Sequence, residues 1–253
     1  MTPSFTVERR AGQAGRSTVV FVPTMFAGGW VWDGPVDRLN ELGWPTARIV
    51  EPLLHVGRTI SSIATVSAGI LDAVGTGPIV ICGVSYGGAV ALDLAARHTP
   101  SVRAVAISGV PGPGAEFDTG LRIGSVPDLA DLQERIFAAM FYDRATVSEA
   151  SVRETVALLK RPLSMIGLAR GTRALRGFGV AAALARMTCP GLFVWGAQDG
   201  LAPPAPWHAL VGERLELIDK CGHLPGVEQV EQYLSRLVPF VAAIDEVPVP
   251  ATS

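Results

Sequence analysis

The stretch Gly83-Val84-Ser85-Tyr86-Gly87-Gly88 places a serine between glycines two positions away on either side. In a chain with 28 glycines the motif alone carries little weight, and its surroundings decide. The apolar run Ile79-Val80-Ile81-Cys82 precedes it and the small apolar run Ala89 to Ala96 follows. That sequence reads as a buried strand, a very tight turn and a helix. Such a turn holds its tip residue in a strained backbone conformation and lifts the side chain out of the sheet. Gly83 and Gly87 fall where a β-carbon would collide with the neighbouring strand or helix. Ser85 is therefore the candidate nucleophile, with its hydroxyl at the positive end of the following helix, beside free backbone N–H groups.

A serine hydroxyl is a weak nucleophile at neutral pH. It needs a base within hydrogen-bond reach, and the base needs an acid to orient it. The chain offers His55, His98, His208 and His223. His98 ends a helical pattern and His208 lies within a short one, so both read as surface residues. His223 sits in a Gly-flanked loop after the last apolar strand. In a parallel sheet, loops that follow strand C-termini gather on one edge, the edge of Ser85. The orienting acid should also follow a strand. Asp199 does, directly after Leu192 to Trp195. Asp219 competes, but it stands too close in sequence to His223 to reach the far ring nitrogen easily.

The elements that must position these residues follow from periodicity. Ser4 to Glu8 reads as an edge strand, and Thr18 to Val22 and Thr46 to Val50 as strands. Asp33 reads as the N-cap of a helix through Leu42 with Pro35 in its first turn, and a second helix spans Ile60 to Val74. After the elbow helix come a strand at Val102 to Ser108, another at Gly191 to Trp195, a short helix at Pro203 to Leu210, a last strand at Leu215 to Ile218 and a closing helix at Glu228 to Ile244. Between about 113 and 187 the apolar residues recur at three- and four-residue spacing (Leu129, Leu132, Ile136, Met140; Val152, Val156, Leu159), with no strand among them. The fold class is α/β: a mostly parallel sheet covered by helices on both faces. Residues 1–112 and 188–245 form the expected core, 113–187 a helical lid, and 246–253 a tail expected to be disordered.

Composition narrows the function. With 253 residues, 49% of them hydrophobic and 17% charged, the chain can bury one sizeable core. A net charge of −2 without a basic block or acidic tail argues against nucleic acid and anionic membrane as partners. Cys82, Cys189 and Cys221 are odd in number and lack CxxC spacing, which suits neither a disulfide framework nor zinc. The first residues, Met1 to Arg16, hold no apolar segment of signal type, and no stretch is long enough to span a bilayer. The expectation is a cytoplasmic protein acting on a small molecule without metal or cofactor; its oligomeric state is left open.

In Gly83-Val84-Ser85-Tyr86-Gly87-Gly88, Trp195-Gly196-Ala197-Gln198-Asp199 and Cys221-Gly222-His223-Leu224-Pro225 the chain resembles the α/β-hydrolase superfamily, in its serine-nucleophile branch. The resemblance implies the α/β-hydrolase fold, an eight-stranded sheet and the triad order Ser85, Asp199, His223. It also implies an oxyanion hole built from the N–H groups of Tyr86 and Met25, each donor contributing on the order of 3 kcal/mol to transition-state stabilisation. Many relatives carry His-Gly where this chain has Pro23-Thr24. The Thr24 hydroxyl is thereby expected near the substrate, as in the similar hydroxynitrile lyase and plant-esterase branch with its His-Thr. Leu224 replaces the lysine that follows the histidine in those lyases, which argues against cyanohydrin cleavage. Phe26, Trp30, Phe137, Met140, Phe141 and Met165 are candidates to line an apolar cleft, with plain core packing the alternative for each. The leading expectation is a serine hydrolase that cleaves an ester, lactone or thioester of a medium-sized, mostly apolar substrate through an acyl-enzyme on Ser85. The alternatives are a lyase or cyclase of the same fold that tailors a polyketide-type metabolite by eliminating an acyl group, and a non-catalytic ligand-binding protein on a hydrolase scaffold.

Overall fold

Strands β2 (Thr18–Val22), β4 (Ile79–Val84) and β5 (Val102–Ser108) are apolar at consecutive positions, the pattern of strands covered on both faces. In the computed structural model, which describes residues 3–56, 62–75, 77–112, 136–161 and 164–247, they form the middle of a seven-stranded sheet. The other strands are β1 (Val7–Arg10), β3 (Thr46–Ile49), β6 (Gly191–Gly196) and β7 (Leu215–Ile218), and the spatial order is β1-β3-β2-β4-β5-β6-β7. All neighbours run parallel except β1, which pairs antiparallel to β3 in the register Val7↔Ile49 to Arg10↔Thr46. The chain order reverses between β2 and β4, so the loops after β2 and β4 open side by side at the carboxyl edge, the usual place for a ligand site.

Helices α1 (Asp33–Glu41), α2 (Ile63–Val74) and α3 (Tyr86–Ala96) follow β2, β3 and β4 in turn. Past β5 the described residues are helical at 136–140 and in α4 (Glu149–Leu159), α5 (Ser164–Arg176) and α6 (Val180–Arg186). No strand interrupts them among the described residues; the rest of the expected lid, 113–135 and 162–163, lies outside those residues. Helices α7 (Ala205–Val211), α8 (Pro225–Glu228) and α9 (Val230–Glu246) complete the chain. Among the described residues, no helix is long and apolar enough to cross a membrane.

Several expectations need correction. The sheet has seven described strands, not eight. The edge strand sits at Val7–Arg10 rather than Ser4–Glu8, because Arg48 on β3 holds the Glu8 carboxylate while Glu51 captures the Thr6 N–H at 2.9 Å. Asp33 is the first residue of α1 and not its cap; its carboxylate pairs with Arg48 instead. Helix α2 is capped by Ser62, which accepts the Thr65 N–H at 3.2 Å; the expected start at Ile60 lies outside the described residues. The single closing helix is two helices, broken at Gln229 (φ −136°, ψ 56°), and the break turns Glu228 inward. The second of them runs to Glu246, one residue into the expected tail, and Asp245 near its end is anchored. It accepts the Ser17 N–H at 3.1 Å and the Trp44 indole N–H at 2.8 Å.

Candidate active site

Ser85 occupies φ 59°, ψ −122°, a conformation that L-residues avoid and that puts the side chain at the crest of the turn. The flanking glycines are steric necessities. A Cβ on Gly83 would lie 2.3 Å from the Gly87 carbonyl oxygen, and one on Gly87 would lie 2.4 Å from the Val22 and Pro23 oxygens. The Ser85 N–H donates to the Ser108 carbonyl at 2.9 Å, which fixes the crest against the end of β5. Tyr86 is the first residue of α3, so its N–H has no acceptor within the helix and faces the region above the turn.

His223 is buried, and its Nδ1 lies 2.9 and 3.0 Å from the two carboxylate oxygens of buried Asp199. Asp199 is itself held by the Leu201 and Ala202 N–H groups, which donate to Oδ1 at 2.9 and 2.8 Å. A carboxylate on Nδ1 assigns that nitrogen as the N–H donor, which leaves Nε2 with its lone pair free to take a proton. Asp219 is excluded as the orienting acid by its position. It is exposed and accepts from the Gln198 side chain at 2.9 Å, a bond that holds its carboxyl below the usual range.

The candidate base and the candidate nucleophile are related through one short piece of backbone. Gly109 (φ 61°) has no room for a side chain, since a Cβ there would stand 2.8 Å from His223 Cε1 and 3.0 Å from Nδ1. The residue before it, Ser108, is the one bonded to the Ser85 N–H. Ser85 and the imidazole therefore both abut the dipeptide Ser108-Gly109. Among the described residues, the hydrogen bonds of the ring run to Asp199 alone. A nucleophile–base contact of this type commonly tightens only in the complex with substrate.

The loop after β2 is braced on itself. Thr24 and Met25 accept, through their carbonyls, the N–H groups of Leu53 and Leu54 at 3.0 Å each. The Thr24 hydroxyl accepts the Phe26 and Ala27 N–H groups at 3.1 and 2.8 Å and lies 3.3 Å from the Ala27 carbonyl. That hydroxyl, expected near the substrate, is buried and spent on the loop. What the bracing leaves is the Met25 N–H, which has no acceptor among the described residues. Helix α5 closes over this corner, for a Cβ on Gly171 would lie 2.7 Å from Met25 Cε and 3.6 Å from Tyr86 Cε2.

Of the candidates to line a cleft, Phe26, Phe137, Met140 and Phe141 are buried, and Phe137 stacks on Phe141 with ring centroids 5.8 Å apart. Trp30 is half-buried, and its indole N–H has no partner among the described residues. Their burial fits the core-packing alternative as well as a cleft. The side chains of Met165 and His55 lie outside the described residues. His98 and His208 are exposed, as their positions in helical patterns imply.

One residue beside the site escaped the sequence reading. Glu228, buried on α8, accepts the N–H groups of Gly222 (2.8 Å), Tyr142 (2.7 Å) and Asp143 (3.1 Å). Burial pushes its carboxyl pKa up against the opposing pull of these donors, and the charge of Asp199 adds to the rise. Its only mark in the sequence is a place five residues after His223, inside a stretch read as plain helix.

Comparison with known proteins bears on most of the chain. It is 29% identical over 200 residues to a 2-hydroxymuconate semialdehyde hydrolase of Pseudomonas putida, covering 70% of this chain and 67% of that protein. Its fold is similar to an esterase from Exiguobacterium antarcticum (TM-score 0.71, 18% identity, 93% of this chain and 94% of that one). It is also similar to an enol-lactonase from Burkholderia xenovorans LB400 (TM-score 0.71, 17% identity, 93% and 96%). Since the sequence profile of the alpha/beta hydrolase family matches residues 19–236, from β2 to the middle of α9, the chain belongs to that family.

Proposed function

We propose that the protein is a serine hydrolase acting on a medium-sized, mostly apolar acyl compound: an ester, lactone or thioester. The observation that carries this reading is the buried His223–Asp199 pair set against the same Ser108-Gly109 dipeptide that holds the Ser85 crest. His223 Nε2 takes the Ser85 proton as Oγ attacks the carbonyl carbon, and the charge that develops on the carbonyl oxygen faces the Met25 and Tyr86 N–H groups. The tetrahedral adduct collapses, the imidazolium returns the proton to the leaving alcohol or thiol, and an acyl-Ser85 remains. Water, deprotonated by His223, then releases the acid and restores the hydroxyl.

The test is intact-mass spectrometry after exposure to a fluorophosphonate. Wild type should gain one phosphonyl adduct and Ser85→Ala none; an unlabelled wild type would sink the proposal. A substrate panel follows, of nitrophenyl esters, aryl lactones, acyl thioesters and the semialdehyde for which the Pseudomonas relative is named. Product identification separates addition of water from elimination to an alkene, the outcome that would favour the lyase alternative.

A further inference from the structure

The loop that carries His223 presents two consecutive backbone donors, Gly222 N–H and His223 N–H, to the segment 140–143. The second finds an acceptor there directly, since His223 N–H donates to the Met140 carbonyl at 2.7 Å. The first does not, because the groups that segment offers next are themselves donors, the N–H groups of Tyr142 and Asp143. Donor cannot bond donor. Glu228 resolves the conflict, with Oε1 accepting Gly222 N–H at 2.8 Å and Oε2 accepting Tyr142 and Asp143 N–H at 2.7 and 3.1 Å. A closed ring of hydrogen bonds results, running from His223 to Met140, along the chain to Tyr142, through the carboxylate to Gly222 and back to His223. There is no slack in it. A Cβ on Gly222 would lie 2.5 Å from the Met140 oxygen, 2.8 Å from Glu228 Oε1 and 2.8 Å from the Tyr142 nitrogen. The residue just before that segment also rests on the Asp199 loop, where a Cβ on Gly200 would approach the Ala139 carbonyl oxygen to 3.0 Å.

We infer that Glu228 is a positioning residue for the hydrolase reaction: its two carboxylate oxygens lock the His223 loop to the segment 140–143 and so set the place and orientation of the imidazole over Ser85. This rests on the serine-hydrolase reading above. The chemistry explains why a glutamate is needed. Glutamine has one acceptor oxygen and one donor amide, so it can serve Gly222 or the Tyr142–Asp143 pair but turns donors toward the other. Aspartate keeps the charge but is one methylene too short to span both segments. The ionisable groups in the electrostatic surroundings of Glu228 are Asp199, on the loop after β6, and Cys221, on the histidine loop. His223 stands one residue beyond the bonded Gly222. The Cys221 thiol is kept protonated by burial, so it brings no charge of its own.

The experiment measures the rate of fluorophosphonate labelling of Ser85 against pH in wild type, Glu228→Gln and Glu228→Asp, with circular dichroism to confirm folding. Misplacement of a catalytic group by about 1 Å costs on the order of 100-fold in rate, and a loss of that order is expected in folded Glu228→Gln. The loss should appear in the pH-independent plateau of the labelling rate; a purely architectural role would lower the urea midpoint of unfolding and leave the plateau of the folded variant in place. Labelling of folded Glu228→Gln at the wild-type plateau rate overturns the inference. Should Glu228→Gln fail to fold, Glu228→Asp decides: slow labelling supports the inference and wild-type labelling overturns it. An unlabelled wild type instead removes the serine-hydrolase reading itself, so the two failures are told apart.

Discussion

Three side chains make up the candidate site, and the sequence made them visible to different degrees. Ser85 has a signature within five residues, because a backbone forced to φ 59° needs glycine where the strand and helix close on it. Asp199 and His223 are visible only through the rule that strand ends share an edge, and the structure puts the ring on Asp199 rather than Asp219. Two predictions belong at this scale. Replacing Ser85 by Gly abolishes turnover while removing strain of about 1–3 kcal/mol at a backbone position where glycine is at ease. Glycine's extra freedom in the unfolded chain offsets part of that gain, so urea unfolding should show a variant more stable than wild type by about 1 kcal/mol. In Asp199→Asn the amide can present its NH2 to the ring, which favours the tautomer with the proton on Nε2. Turnover of any substrate found should then fall by about 10⁴-fold with the fold intact by circular dichroism.

At the scale of elements, the strands were legible and the joints were not. β2, β4 and β5 announce themselves by unbroken apolar runs, whereas β1 drifted by two to three residues. Its position depends on where Arg48, a residue about 40 positions away, finds carboxylates. For the same reason Asp33 was read as a cap, a local role, when a distant cation had claimed it. The break at Gln229 was hidden because Glu228 fits a helical pattern equally well when its carboxylate is needed inside. Residue periodicity reports which face is buried; it does not report which buried group a polar side chain will serve. A tight joint lies between α3 and the end of β2. In Gly87→Ala the new methyl would press on the Val22 and Pro23 oxygens, backbone atoms that cannot swing aside as a side chain could. Overpacking of this kind costs about 1–3 kcal/mol, which a lowered urea midpoint would register. Because the displaced loop carries the Met25 N–H, labelling of Ser85 should slow more than the stability loss alone accounts for.

For the molecule as a whole, acid and base dependence of stability follows from the difference in protons bound by the folded and unfolded chains. Glu8 and Glu228 pull in opposite directions. The Glu8 carboxyl is lowered, first by its hydrogen bond to Arg48, so it adds stability above its ordinary value that is lost as pH falls; the pair is partly exposed, and the effect is correspondingly small. The Glu228 carboxyl is raised, first by burial, so the folded chain holds that proton at a pH where the unfolded chain has released it. Below the ordinary value of 4.5 both states are protonated and Glu228 adds no pH dependence. As pH climbs from there through the raised folded value, ionising a buried carboxylate costs the native state more than the unfolded one, and stability falls until both are charged. Glu228→Gln lacks this term and keeps Glu8. The difference in unfolding free energy, wild type minus Glu228→Gln, should therefore shrink as pH rises from 4.5 toward neutrality. Any pH-independent cost of the lost acceptor drops out of that comparison. Urea titrations of both proteins across this interval measure it directly, and a difference that stays level or grows with pH would show that the three N–H donors outweigh burial and hold this carboxyl at or below its ordinary value in the folded protein.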